Sequence, residues 1–433
     1  MRLAAAALTL LALAGCERSL VDPLDRAVEV VGVDLGEVQA DSTLQLGLRV
    51  EGATALTVDG DSAARGATPG LFSRTLALAR GVNRIAVRAS DANGVVASDT
   101  LVAVYLPLAS NAAAAFGLPT ARTEAAVVAV PPNRVLVTGG AGQNGAALAT
   151  MAVLVRAGAR FSGTDVPLLV ARAGHTASVL PDGGVLLVGG ATTETATRAT
   201  ELVRTVEWIP PGQVQSQAVS LPDGEPQRAG HTARVLDAGG RTLVYLYGGL
   251  VPAGAGVAPS GTVDVFEWRA GDAALVRLSP AGGAGAFAAV AGHVQIPLSG
   301  GTGAAGAATD AVFGGDLASR LVFTAPGFNY PFDLAARSAA PLSAPRTAAA
   351  GAPLTLGGLA LVIGGRGADD TTLGSAEIYA GDVNRTFRVP PDVRLAVPRA
   401  GAGATLLPDG RIIVVGGRSA GGTVSAVVEV FSY

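Results

Sequence analysis

The chain has 433 residues, of which 49% are apolar and only 4% aromatic, and its formal charge at neutral pH is −3. This near-neutral balance gives no reason to expect a nucleic-acid partner, which needs a clustered basic surface. The single cysteine excludes an intrachain disulfide and a multi-cysteine metal site.

Residues 1–15 have the anatomy of an export signal. Arg2 precedes an apolar run from Leu3 to Ala14 that is broken only by Thr9. This run is too short to span a bilayer, which needs about 20 apolar residues, but it suits the hydrophobic region of a signal peptide. The sequence therefore predicts export.

The end of this segment, Leu13-Ala14-Gly15-Cys16, resembles the bacterial lipobox. The resemblance implies that Cys16 becomes the lipidated first residue of the mature protein, anchored stably by more than one acyl chain. Glu17 follows rather than aspartate, which in sorted bacterial lipoproteins implies the outer membrane. The alternative is an ordinary signal peptide whose cysteine stands there by chance. Residues 16–26 are interpreted as a tether.

Residues 27–107 alternate apolar and polar side chains in the manner of half-buried strands. Leu44, Leu46 and Leu48 share one face of a predicted strand, and Asp59-Gly60 and Asn93-Gly94 are turn signals. Strands at this spacing predict a small β-sandwich. The run from residue 81 to 106 resembles the last strands of bacterial Ig-like domains. We expect a spacer without a marked site.

Residues 108–433 are organised by a repeat. The stretch RAGHTASVLPDGGVLLVGG, residues 172–190, returns as RAGAGATLLPDGRIIVVGG, residues 399–417, and more loosely at residues 228–249. Each copy predicts a hairpin with a Pro-Asp-Gly turn and a second strand that ends on two glycines. Weaker copies begin at Arg122, Gly283 and Arg346. The predicted motif residues are Arg172, His175, Gly189, Gly190, Arg228, His231, Gly248, Gly249, Gly364, Gly365, Arg399, Gly416 and Gly417.

These features resemble the kelch repeat, which implies one four-stranded blade per copy. Counting Gly139-Gly140 and Gly300-Gly301, six diglycines recur at intervals near the ~50 residues of that repeat. The fold prediction is therefore an all-β protein, with a six-bladed kelch-type β-propeller after the small Ig-like β-sandwich. We assign the wider interval from Gly301 to Gly364 to an insertion.

We expect the last repeat to take a strand from elsewhere, because the sequence ends just after its third strand at Tyr433. Residues 113–119 resemble the strand that leaves a blade before the next arginine. We expect this segment to complete the final blade and close the ring.

The three histidines are the first candidates for chemistry. His175 and His231 occupy the same place in adjacent repeats, and His293 is assigned to the turn region of a degenerate repeat, with no evident partner. A metal ring needs several converging ligands, and alanine cannot ligate. We therefore expect packing and hydrogen-bonding roles, no metal and no cofactor. The equivalent positions elsewhere are assigned to Ala125, Ala286, Ala349 and Ala402.

Enzyme motifs are weak. Galactose oxidase-like proteins share kelch blades but use a cysteine-linked tyrosine around copper, and here the only cysteine is Cys16. One G-x-S-x-G match surrounds Ser419, but a nucleophile elbow needs a following helix, and the residues beyond Gly422 favour a strand. No catalytic residue is assigned.

One aromatic group is unusual in a chain with so few rings. Phe323, Phe328, Tyr330 and Phe332 fall within ten residues, and Pro326 and Pro331 among them break regular structure. One hypothesis is a loop that presents Phe328, Tyr330 and Phe332 to a sugar or a protein. The other, which the composition favours, is that these rings fill an irregular fourth blade.

Two functions follow. The first is a membrane-anchored binding or scaffolding protein of the cell envelope, whose propeller loops contact a protein or glycan. The second is a carbohydrate-active envelope enzyme with its site at the mouth of the channel. The second requires charged residues that converge on one end of the channel, and the sequence shows no such cluster.

Overall fold

The computed structural model describes residues 26–157, 160–280, 288–298, 308–316, 318–324 and 334–433. The helical residues in these ranges form three short 3₁₀ helices, Ala199–Glu201, Ala270–Asp272 and Gly381–Val383. None of the helices described is long and apolar enough to cross a membrane. The chain divides into two compact units.

The smaller unit comprises the described residues before 35 together with Thr43–Ala77 and Arg84–Val102. Leu44, Leu46 and Leu48 are buried on one face of their strand, as the period-two pattern predicts. The identification as Ig-like and the boundaries 27–107 stay predictions. One sheet contains Glu29–Val31, Thr43–Arg49, Leu71–Ala77 and Ala64–Arg65; the other contains Asp61–Ser62, Ala55–Val58, Gly81–Asp91 and Gly94–Tyr105.

The larger unit consists of Leu35–Ser42, Leu78–Asn83 and Ala103–Tyr433. It contains six four-stranded antiparallel sheets, numbered here as blades in chain order, which confirms the six-bladed propeller. Short ribbons pair Leu250–Ala253 with Gly256–Pro259, Arg346–Thr347 with Arg366–Gly367, and Arg399–Ala400 with Arg418–Ser419.

The strands of each blade are given from the first to the fourth. Blade 1 has Ala126–Val130, Arg134–Thr138, Thr150–Ala157 and Arg160–Pro167; blade 2 has Thr176–Val179, Val185–Val188, Glu207–Ile209 and Gln217–Ala218; blade 3 has Thr232–Ala238, Arg241–Tyr247, Val263–Arg269 and Ala274–Arg277. Blade 4 has His293–Leu298, Ala308–Gly314, Ser319–Thr324 and Leu334–Ser338; blade 5 has Ala350–Pro353, Leu359–Ile363, Ala376–Ala380 and Arg385–Arg388; blade 6 has Gly403–Leu406, Ile412–Val415, Val427–Ser432 and Ala109–Gly117.

The continuous apolar runs of the second strands follow from burial on both faces of each blade. In blade 2, Leu186 and Val188 pack against blade 3, whereas Val185 and Leu187 pack against blade 1. Each such side chain contributes about 1.5–3 kcal/mol by leaving water. Stacking the blades therefore supplies the core that one sheet lacks.

The ring closes as the sequence predicts. Ala109–Gly117 pairs with Val427–Ser432 and so forms the fourth strand of blade 6. Blades 6 and 1 then share a core that contains Ile413 and Val415 of one and Val135 and Val137 of the other.

The repeat register predicted for blade 4 is wrong. Its second strand ends on Gly314 and Gly315, both with positive φ, and not on Gly300-Gly301, which lies outside the described residues together with Gly283. A Cβ on Gly314 would come within 2.5 Å of the Arg346 carbonyl oxygen, the contact that the first glycine makes in other blades. The extra length of this repeat therefore lies before its diglycine and not after it.

Candidate functional site

A closed circle of backbone hydrogen bonds surrounds the propeller axis. One residue from each blade takes part, and its N–H donates to the carbonyl of its counterpart in the preceding blade at 2.7–3.0 Å. All six have positive φ, between 48° and 67°. We call this the axial ring; its members are Glu124, Gly174, Gly230, Gly292, Ala348 and Gly401.

Glycine suits the axial ring because it reaches positive φ without steric cost. Glu124, with a φ of 53°, departs from that choice. A non-glycine residue in this conformation is strained, and such strain is often kept where a side chain has a function. Ala348 departs in the same way, with a φ of 48°, but Glu124 is the ring member with a polar side chain.

A buried arginine two residues before the axial-ring position holds each regular blade. In blade 2, Arg172 donates through Nη1 to the carbonyl of Gly189 at 2.9 Å and through Nη2 to Glu207 at 2.8 Å. Because its guanidinium is fully buried, the Glu207 carboxylate compensates a charge that would otherwise be costly. The same pairing joins Arg122 to Asp165, Arg228 to Asp264, Arg346 to Glu377 and Arg399 to Glu429.

Blade 4 lacks this pair. Val290 takes the arginine's place, since its carbonyl accepts the hydrogen bond from Gly249 that Arg228 accepts from Gly190. Strand register places Arg320 opposite Val312, where blade 5 has Glu377 opposite Val362. Both members of the pair are thus replaced together.

The diglycine motif has a steric reason. A Cβ on Gly248 would approach the Val290 carbonyl oxygen to 2.8 Å and the His293 ring to 2.8 Å. Gly189 faces Arg228 and His231 of its neighbouring blade in the same way. The first glycine of the motif therefore lets adjacent blades meet near the axis.

The three histidines follow the axial ring in three consecutive blades. Nε2 of each lies near a threonine hydroxyl of the preceding blade: His175 to Thr138 at 2.8 Å, His231 to Thr176 at 3.2 Å and His293 to Thr232 at 2.9 Å. His293, and not Ala286, holds this place in blade 4, so the expectation that it lies apart in a turn was wrong. Ala286 lies outside the described residues.

The imidazoles of His175 and His231 are neutral at physiological pH. Burial lowers the pKa of His175 well below its usual value, and Arg172, His231 and Arg122 add to the effect. Burial, Arg228 and His293 lower the pKa of His231 to about 3. A neutral imidazole presents one donor and one acceptor nitrogen.

One end of the channel gathers charged side chains that are far apart in the sequence. Arg366 and Arg418 directly follow the diglycines of blades 5 and 6, and Arg418 contacts Glu194 of blade 2 at 2.5 and 2.9 Å. Burial and the Glu194 charge raise the pKa of Glu124 to about 7, while Arg366 acts in the opposite direction. Glu124, Glu194, Arg366 and Arg418 form what we call the mouth cluster.

One member of the mouth cluster, Glu124, lines a cavity of about 130 Å³ on the axis. Glu124, His175, His231 and His293 line this cavity among glycines and alanines of the six blades. Its chemistry can therefore include ion pairing, hydrogen bonding and proton exchange at a carboxyl group.

The sequence did not reveal this cluster, because its members come from four blades. The available signal was Glu124 at a position where most repeats have glycine. Arg418 stood inside the G-x-S-x-G match, but Ser419 there is part of a turn closed by the Gly422 N–H and the Ser419 carbonyl, with no helix after it.

Two predicted features cannot be placed. Cys16 lies outside the described residues, as do Phe328, Tyr330 and Phe332. Both interpretations of the aromatic group therefore stay predictions.

No family model matches the chain, and no curated protein matches it. The solved structure titled "Structure of YjhT" is similar, with a TM-score of 0.50 and 13% identity, over 72% of this chain and 95% of that chain. A fungal alcohol oxidase of the AA5 family in complex with copper has a TM-score of 0.50 and 14% identity, over 73% of this chain and 75% of that chain. These likenesses show the fold, a β-propeller.

The oxidase's copper raises the question of whether this chain has ligands for a metal. Across the described ranges, no three His, Cys, Asp or Glu side chains are grouped so that they could hold a metal ion. The axial histidines also engage threonine hydroxyls through Nε2. The donor set of the described residues does not fit a copper centre.

Proposed function

We propose that this protein is a lipid-anchored binding protein of the bacterial cell envelope, whose propeller contacts a glycan or a protein with one end of its channel. The anchor rests on the lipobox-like residues that end at Cys16. The binding site rests on the mouth cluster, and above all on the convergence of Glu124, Glu194, Arg366 and Arg418. Convergent polar groups beside a concave surface are the usual mark of a binding site.

The arrangement favours recognition because its charges are held in place from several blades. Arg418 donates to the Gly142 carbonyl at 3.2 Å and to the Gly422 carbonyl at 2.7 Å as well as to Glu194. A guanidinium with this many partners loses little further freedom when a ligand arrives. The mouth is therefore preorganised.

A glycan-binding screen and affinity capture from envelope extracts test the binding role on the mature chain. We expect a retained ligand whose binding weakens at least tenfold in Arg366→Gln and Glu124→Gln. Arg204→Gln is the matched control, because Arg204 forms an exposed pair with Glu225 outside the mouth cluster. Equal binding by all three variants and the unaltered chain would place the ligand elsewhere and contradict the proposal.

The anchor has its own test. Cys16→Ser is expected to leave the protein unprocessed or in the soluble fraction, because no thiol remains for lipidation. A processed Cys16→Ser protein that still fractionates with membranes would contradict lipid anchoring.

A second candidate is a carbohydrate-active enzyme, which one observation favours. A carboxyl group with a pKa of about 7 beside a second carboxylate, Glu194, is suited to general acid catalysis near neutral pH. The discriminating measurement is turnover of the saccharide that the screen retains. Reducing ends that accumulate with the unaltered chain and not with Glu124→Gln would favour the enzyme, whereas binding without product supports the binding role.

A further inference from the structure

Glu124 is the member of the mouth cluster that forms no ion pair among the described residues. Arg418 is paired with Glu194, and Arg366 is paired with Asp370 at 2.9 Å. The Glu124 carboxylate has no hydrogen-bonded partner among the residues that the structure describes. Its Oε1 lies over Gly401, where a Cβ would come within 2.7 Å of it. An anion in this position is open to a cationic ligand.

The neighbouring backbone amides on the cavity wall are already hydrogen-bonded, because those of the axial ring donate to carbonyls of the ring itself. The His175 and His231 rings are 6% and 5% exposed, and burial keeps them neutral. Glu124 is the one acidic side chain among the residues that line the cavity.

The size of the cavity restricts the ligand to a small group. Its volume of about 130 Å³ is below the ~300–1,000 Å³ of ordinary small-molecule sites. Glycines at positions 174, 230, 292 and 401 leave this space, since their side chains add nothing to the wall. Such a cavity takes the end of a ligand and leaves the rest outside.

We propose that the channel mouth binds a primary ammonium group, with Glu124 as its counter-ion. An ammonium is compact and positively charged, which matches a small cavity whose acidic side chain has no ion-pair partner among the described residues. This inference rests on the proposed function, in which the mouth is the binding site, and it names the ligand's chemical class. An amino sugar and a lysine side chain both supply the group.

Calorimetric titration of the mature chain tests this with matched pairs of probes. Glucosamine is compared with N-acetylglucosamine, and Nα-acetyl-lysine methylamide with its ε-acetylated form. We expect each amine to bind and each acetylated partner to bind at least tenfold more weakly. The pair that gives the larger affinity identifies the source of the ammonium.

Variants at Glu124 locate the binding. Glu124→Gln keeps the shape and removes the charge, so amine binding should weaken at least tenfold, while Glu124→Asp should retain part of it and Arg204→Gln all of it. Binding of Nα-acetyl-lysine methylamide should also weaken as pH falls from 8 to 6, because its amine stays protonated over this range while Glu124 becomes protonated near pH 7. Glu194, Arg366, Arg418, Asp370 and the three histidines are the other ionisable groups around it.

The outcomes separate the two proposals. Equal binding of amine and acetylated probes, lost on mutation of Arg366 but not of Glu124, overturns the ammonium site and leaves the mouth as a binding site. Amine binding that Glu124→Gln does not change also overturns it. A glycan or protein ligand indifferent to all mouth variants overturns the proposed function itself.

Discussion

Blades 1 and 2 have the same construction but different surfaces at the axis. Both use a buried arginine, Arg122 or Arg172, to hold the carbonyl of the first glycine in the diglycine. At the next positions, blade 1 has Glu124 and Ala125 where blade 2 has Gly174 and His175. The comparison teaches that the repeated residues build the ring, and that departures from the repeat supply its chemistry.

The largest loss of stability should come from changing the buried arginine that both blades share. Arg172→Ala removes one member of a buried ion pair and leaves Glu207, which is 1% exposed, without its counter-charge. We expect a loss of about 3–5 kcal/mol in the free energy of unfolding, measured by denaturant titration. Arg204→Ala, at an exposed pair, should stay within about 0.5 kcal/mol. A small loss of stability in both variants would show that the buried ion pair does not stabilise the blade.

The contribution of the axial histidines to the free energy of unfolding should fall in acid. The folded-state pKa of His231, about 3, lies below its usual 6.5, so the unfolded chain binds protons first as pH falls. Its stabilising contribution is complete above pH 6.5 and is lost toward pH 3, by at most about 4–5 kcal/mol. Unfolding of the unaltered chain and of His231→Gln, compared at pH 7 and pH 4, measures this. An equal acid loss in the two proteins would contradict it.

Blade 4 allows a test of whether a buried arginine at the repeat position needs an acidic partner in order to stabilise its blade. Val290→Arg restores the residue of the other blades, but the strand position that holds Glu377 in blade 5 holds Arg320 in blade 4. We expect this change to destabilise the protein by roughly 2–4 kcal/mol, and the added change Arg320→Glu to recover part of that loss. An arginine at 290 that stabilises the protein alone would show that the carbonyl contacts suffice.

The smallest predicted effect on stability comes from Glu124, which stands at a position where most blades have glycine. Its raised folded-state pKa means that it favours folding below pH 4.5 and loses that contribution as pH rises through about 7. Relative to Glu124→Gln, the unaltered chain should therefore become less stable between pH 5 and pH 8, by at most about 3 kcal/mol. Melting curves of both proteins over this range test the sign, and a constant difference would refute it.

The sequence could predict the blades because their causes are local. Hairpin turns such as Pro181-Asp182-Gly183 and runs such as Val185–Val188 report strand and burial directly. The closing strand was also predictable, because blade 6 lacked one. The register of blade 4 was not predicted because Val290 replaces the motif's arginine and Arg320 replaces its acidic residue. The wrong pair of glycines was therefore matched to the repeat.

The mouth cluster could not be predicted in the same way. Arg418 and Glu194 meet only after the ring has closed, with more than two hundred residues between them. Glu124 becomes visible as an exception only when the axial ring is known, since its importance depends on the positive φ that its counterparts share. Sites of this kind depend on how blades meet, which periodicity does not encode.

The most direct test of the account is the titration of the Glu124 carboxyl group, followed by carbon NMR on selectively labelled protein and assigned with Glu124→Gln. The account predicts a midpoint near pH 7, well above the usual value of 4.5. A midpoint near pH 4.5 would show an ordinary solvated carboxylate and would contradict the view that the departure from the repeat at this position makes the site.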